Sequence, residues 1–168
     1  MLYVFVGMPG SGKSCMVRAI SKKLNMSAVD VDRLIEERCG LPLHKIVGEV
    51  GTVEFKRIEE ETLLTVDGDE LLVATGGSAI YSERAMERFK RIGKVIYLYV
   101  SFETMIERLG DFSKRGIVMR SDQTIRDVYE EREALYKKYA DVIIDCDGTE
   151  YYKYRRRVTD ALQSFRNK

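Results

Sequence analysis

Short apolar runs alternate along this chain with longer stretches in which apolar residues recur every third or fourth position. Leu2-Tyr3-Val4-Phe5-Val6 is apolar, β-branched or aromatic throughout and ends at glycines, the mark of a strand covered on both faces. Over residues 13–24 the period changes. Met16, Val17, Ile20 and Leu24 share one helical face, with Arg18, Lys22 and Lys23 outside it. A second strand is predicted over 28–31, and helix resumes over 34–38 before Gly40. A helix over about 53–66 turns Phe55, Ile58 and Leu63 inward and carries Glu59, Glu60 and Glu61 near its middle. Leu71-Leu72-Val73-Ala74 is a third buried strand, running directly into Thr75-Gly76-Gly77. Strands over 94–100 and 141–145 bring the number to five, and helices are predicted around 83–91, 102–109, 122–138 and 150–166. This alternation predicts an α/β fold, a five-stranded parallel sheet flanked by helices on both faces.

The chain has 168 residues, of which 45% are apolar and 33% charged, enough for one core under a soluble surface. Pro9 and Pro42 are the only prolines, and no repeat or low-complexity linker divides the sequence, so one domain over 1–168 is expected. Lysine and arginine total 28 against 27 acids, a net charge of +1. That balance offers no global field for a nucleic-acid backbone or an anionic membrane, so anion recognition has to come from local geometry. Cys15, Cys39 and Cys146 are odd in number and scattered, as reduced thiols in a reducing compartment would be. No signal-like or membrane-spanning run is present. A cytoplasmic monomer that binds small molecules is the expectation. His44, the only histidine, excludes any multi-histidine metal site. The Tyr151–Arg157 run mixes aromatic and basic residues and is read as a helix with packed rings and solvated cations.

Gly7-Met8-Pro9-Gly10-Ser11-Gly12-Lys13-Ser14 matches G-x-x-x-x-G-K-[ST] in full, between a buried strand and an amphipathic helix. Glycines let main-chain N–H groups turn toward phosphate oxygens, and the helix N-terminus adds a favourable dipole. Gly10, Ser11, Gly12, Lys13, Ser14 and Cys15 form the nucleotide-binding set. Lys13 reaches the β- and γ-phosphates of ATP, and Ser14 offers its hydroxyl to Mg²⁺. The Cys15 thiol itself is expected to be a small buried side chain.

A phosphate loop specifies a nucleotide and leaves the acceptor open. Asp30 and Asp32 leave the second strand two residues apart, which on a strand places them on one face at its carboxyl end. One carboxylate can serve the Mg²⁺ shell, and the other can accept the proton of an acceptor hydroxyl. The competing reading makes Asp32 the N-cap of the helix that follows. Gly76 and Gly77 permit close backbone approach to a ligand. Residues 110–121 lack periodicity and carry Lys114, Arg115 and Arg120, which suits a lid closing on phosphates.

The ordered set of P-loop, Asp-x-Asp, Phe55-Lys56-Arg57-Ile58-Glu59, Gly76-Gly77, an arginine-bearing lid and Glu131-Arg132-Glu133-Ala134-Leu135-Tyr136 resembles the shikimate kinase family, over residues 2 to about 145. The resemblance implies a P-loop fold of the nucleoside-monophosphate-kinase type with a mobile lid, and ATP-dependent phosphorylation of the shikimate 3-hydroxyl. It implies Asp30 near Mg²⁺, Asp32 on the substrate hydroxyls, Gly77 against the substrate, and Arg132 on its carboxylate. Arg115 is then the lid arginine facing the phosphates, and Arg108 the arginine against the adenine. Lys13, Asp32 and Arg115 form the catalytic set.

The chain departs from the family pattern at several places. A second carboxylate-binding arginine falls at Lys56, unless Arg57 takes its place, and lysine lacks the bidentate fork. The third glycine after the third strand is Ser78, the lid's Arg-Pro is Arg115-Gly116, and a proline ahead of Leu135 is Ala134. The proline near the adenine is also missing around 147–149. A kinase of another small hydroxy acid or polyol, such as gluconate, is the alternative, and an ATP-sensing module without catalysis is a third reading.

Overall fold

The computed structural model describes residues 1–111, 116–148 and 150–167. Strands β1 (Leu2–Val6), β2 (Ala28–Asp30), β3 (Leu71–Ala74), β4 (Gly93–Tyr99) and β5 (Val142–Asp145) form one parallel sheet in the order β2-β3-β1-β4-β5. Between and after them run α1 (Lys13–Leu24), α2 (Val31–Cys39), α3 (Leu43–Thr65), α4 (Glu83–Ile92), α5 (Phe102–Leu109), α6 (Ile125–Tyr139) and α7 (Tyr151–Arg166). No helix among the described residues is long and apolar enough to cross a membrane.

β1 lies between β3 and β4, and all five of its side chains are buried. A strand with neighbours on both edges and helices on both faces has no polar face, which is why its sequence is an unbroken apolar run. The chain first builds outward from β1 to β2, returns with β3, and then crosses to β4 on the other side. Loops leaving the carboxyl ends of β1 and β3 therefore open into a common crevice, the place where ligands bind in such sheets.

Three boundaries differ from the sequence pattern. α2 starts at Val31, directly after β2, so Asp30 ends a strand while Asp32 sits in the first helical turn. The two carboxylates do not share a strand face. α2 takes Asp30 as its N-cap without a side-chain capping bond, so neither aspartate caps the helix as the competing reading had it. The helix expected over 53–66 begins at Leu43 and bends at Gly51, whose φ of 79° and ψ of 170° break the helical run. α6 begins at Ile125 because Thr124 and Asp127 form a reciprocal capping box, which fixes the N-terminus.

Candidate active site

At the end of β1 the chain turns through Gly7 to Gly12 into α1. Gly12 holds the left-handed conformation (φ 89°) as the N-cap of α1, and a Cβ on Gly7 would stand 2.7 Å from the Leu98 carbonyl oxygen. Both positions exclude a side chain, one by conformation and one by contact. Lys13 is buried and its ammonium donates to Gly7 O (2.7 Å) and Met8 O (2.9 Å), with Ser11 Oγ at 3.4 Å. Burial pushes the Lys13 pKa down to about 8, against the pull of the Asp32 carboxylate. Ser14 is exposed at the start of α1, and so is Cys15. The expectation of a buried thiol fails because Cys15 faces away from the Met16, Val17 and Ile20 stripe.

Asp32 is half-buried, and its Oδ1 is fully covered without a hydrogen-bond partner. Facing it is Glu59 of α3, only 2% exposed, whose Oε2 accepts a bond from Ser78 Oγ (2.6 Å) while Oε1 has no partner. A Cβ on Gly76 would lie 2.6 Å from Asp32 Oδ1 and 2.7 Å from Glu59 Oε1, so both unpartnered oxygens converge on this one glycine. Burial and the neighbouring Asp30 charge raise Asp32 to about 6. Burial raises Glu59 to about 7, against the Ser78 bond that favours its ionised form.

Arg132 of α6 is 1% exposed and makes no ion pair among the described residues. One nitrogen, Nη2, donates to Val118 O at 2.6 Å, whereas Nε is buried without a partner. Its Nη1 lies 2.8 Å from where a Gly77 Cβ would stand, and Tyr136 Oη donates to Gly77 O at 2.5 Å. Lys13, Asp32, Gly76, Gly77, Ser78 and Arg132 all border one cavity of about 430 Å³. Lys56 does not line that cavity, but its ammonium lies 4.1 Å from the centroid of the Tyr81 ring, the same ring that Arg132 approaches at 5.4 Å. Arg57 points elsewhere, held in ion pairs by Glu54 and Glu61 on its own helix. Of the two residues the sequence leaves open, Lys56 is the one beside Arg132.

Arg108 is exposed and lies across the phosphate loop, with Nη2 donating to Cys146 O (3.1 Å) and Nη1 to Gly10 O (3.4 Å). Arg120 is bound to Asp122 and Glu131 and does not join the P-loop group. Lys114 and Arg115 lie outside the described residues. From the same segment, Ile117 and Val118 line the cavity. Gly116 has φ 59°, and a Cβ there would meet His44 Cα at 2.9 Å, which explains a glycine at that place.

Ser14 and Asp30 border a second groove of about 330 Å³ beside the phosphate loop. Their oxygens are hard donors of the kind Mg²⁺ takes. No cluster of three or more acidic, histidine or cysteine side chains suited to a metal occurs among the described residues. A cation there fits the pattern in which Mg²⁺ keeps few protein ligands and relies on phosphate oxygens.

Glu59 and Tyr81 were given no site role by the sequence, and Ser78 was marked only as standing where the family has a third glycine. Glu59 follows the inward Phe55 by four positions, so its burial was readable from helical spacing. Tyr81 closes a 3₁₀ turn over Ala79–Tyr81 that leaves no periodic signal.

The shikimate kinase family model matches residues 9–163. A shikimate kinase of Xylella fastidiosa (strain M12) is 35% identical over 147 residues, 86% of this chain and 82% of its own length. One from Moorella thermoacetica is 32% identical over 164 residues, 96% of this chain and 94% of its own. Among solved structures, a shikimate kinase from Acinetobacter baumannii in complex with shikimate superposes with a TM-score of 0.87 at 27% identity, covering 99% of this chain and 95% of that one. The shikimate kinase of Aquifex aeolicus gives 0.83 at 27% identity, covering 97% and 96%.

Proposed function

This chain belongs to the shikimate kinase family, and from that premise we propose that it transfers the γ-phosphoryl group of ATP to the 3-hydroxyl of shikimate, giving ADP and 3-phosphoshikimate. The observation that carries the acceptor assignment is Arg132, a buried guanidinium without an acidic partner among the described residues, sharing a cavity with the P-loop lysine. Burying an unpaired cation costs several kcal/mol. A substrate carboxylate supplies the missing charge and accepts the parallel N–H bonds that a guanidinium offers. Lys56 adds a second positive charge on the same side.

Asp32 orients the acceptor hydroxyl and takes its proton as the oxygen attacks phosphorus and the bond to ADP breaks. A pKa near 6 leaves Asp32 ionised at neutral pH yet more basic than an ordinary aspartate, as a general base requires. Gly76 and Gly77 let the substrate ring approach the backbone. On the nucleotide side, Gly10, Ser11, Gly12 and Cys15 supply main-chain donors, and Lys13 balances the charge on the transferring group. Arg108 stacks against the adenine. Ser14 and Asp30 would hold Mg²⁺, which neutralises phosphate charge when bound. Residues 110–121 serve as the lid, with Arg115 brought over the phosphates. Alignment and charge neutralisation then carry most of the rate.

A coupled assay of ADP release tests this reading. ADP should form with shikimate and not with gluconate; turnover on gluconate alone would reassign the acceptor.

A further inference from the structure

Lys56 has a setting unlike that of the other cations on α3. Arg57 is neutralised by Glu54 and Glu61, while Lys56 makes no ion pair among the described residues. The acids that act on it are engaged elsewhere: Glu131 of α6 accepts from Gln123 Nε2 at 2.9 Å and lies 4.0 Å from Arg120, and Glu59, one turn on, accepts from Ser78 Oγ at 2.6 Å. What holds the Lys56 ammonium is the face of Tyr81, 4.1 Å from the ring centroid. Tyr81 ends the 3₁₀ turn that Ser78 begins, so one short segment engages both α3 residues, one by hydrogen bond and one by its ring. Arg132 reaches the same ring at 5.4 Å from the opposite element, α6.

We propose that Tyr81 is a positioning residue for the acceptor carboxylate: its ring holds the Lys56 ammonium beside Arg132 without neutralising it. The inference rests on the shikimate reading and adds to it the means by which a lysine replaces an arginine. An acid partner would fix Lys56 equally well but would compete with the substrate's own carboxylate for its charge. An aromatic face attracts a cation through its quadrupole and leaves the net charge in place. The ring also restricts a long, flexible side chain that lacks the planar fork of arginine. Lys56 is exposed, so its aromatic contact is the main restraint on where its charge sits.

The test grades the ring without changing its size. Phenylalanine and its 4-fluoro, 3,5-difluoro and 3,4,5-trifluoro derivatives are placed at position 81 and KM is measured for shikimate and for ATP. Fluorination drains the ring face, so KM for shikimate should climb about two- to fivefold across the series, the worth of one exposed cation–π contact, with kcat and KM for ATP unchanged. In a Lys56→Ala background the climb should shrink to less than half, because only the more distant Arg132 contact at 5.4 Å remains on the ring. A flat series in the Lys56 enzyme, or an equal climb after Lys56→Ala, overturns the role of Tyr81. Absence of shikimate turnover in the unmodified enzyme is a separate result and removes the functional reading itself.

Discussion

A methyl group added at Gly77 would stand 2.8 Å from Arg132 Nη1 and 3.0 Å from Pro9 Cδ. Pro9 is a rigid ring in the phosphate loop, so the guanidinium is the group that yields. Arg132 is anchored by Val118 O on one side and borders the cavity on the other, so the methyl group would push its fork out of place into the space the acceptor carboxylate takes. Gly77→Ala is therefore expected to raise KM for shikimate about tenfold, the worth of one charge-assisted hydrogen bond. KM for ATP should move far less, and steady-state kinetics with each substrate varied in turn separates the two. Equal losses for both substrates would mean that the methyl group distorts the phosphate loop instead. At this scale the sequence carried the P-loop residues, the two glycines and Arg132 by type and order. Glu59 it carried only as an inward position, four residues after Phe55, with no sign of the Asp32 carboxyl that it faces.

Helix α6 delivers Arg132, and its N-terminus is fixed by Thr124 and Asp127, each side chain accepting from the other's backbone. Thr124→Ala removes one half of that box and should lower stability by about 1 kcal/mol. Arg132 lies two turns inside the helix with its own anchor at Val118, so KM for shikimate should stay the same. Urea unfolding beside kinetics checks this, and a raised KM would show that the cap also sets the position of Arg132. The element boundaries the sequence missed have local physical causes. β2 has only three residues and passes into α2 with no glycine or proline between them, so nothing in the pattern marks the change at Val31. Leu43, Ile46 and Val47 suggest a short helix of their own, and Gly48 and Gly51 interrupt the apolar period, so the two arms of α3 do not read as one helix. Pro42 in fact stands at its N-cap and Gly51 only bends it.

On the scale of the whole molecule, the parallel sheet was legible because burial on both faces writes itself as continuous apolar runs. The active site was only half legible, because its polar residues come together from α2, α3 and the turn after β3 through packing that no local pattern records. That packing leaves a charge imbalance with a global consequence. Burial pushes Glu59 up to about 7 from the ordinary 4.5, and Asp32 up to about 6 from 3.8. A carboxyl group whose pKa rises on folding binds more protons in the native state than in the unfolded chain between the two values. Stability must therefore fall as pH rises through that window, from about 4.5 to 7 for Glu59, and stay lower above it. At 1.36 kcal/mol per unit the Glu59 share is about 3 kcal/mol. Glu59→Gln keeps an acceptor for Ser78 and offers an N–H to the unpartnered Asp32 Oδ1. Asp32 still titrates in the variant, so its unfolding free energy should be nearly level only between about pH 6 and 7, above the Asp32 window, where that of the parent still declines. At pH 7.5 the variant should be the more stable of the two. Urea titrations at half-unit pH intervals measure both curves, and parallel declines would place the proton uptake on a group other than Glu59.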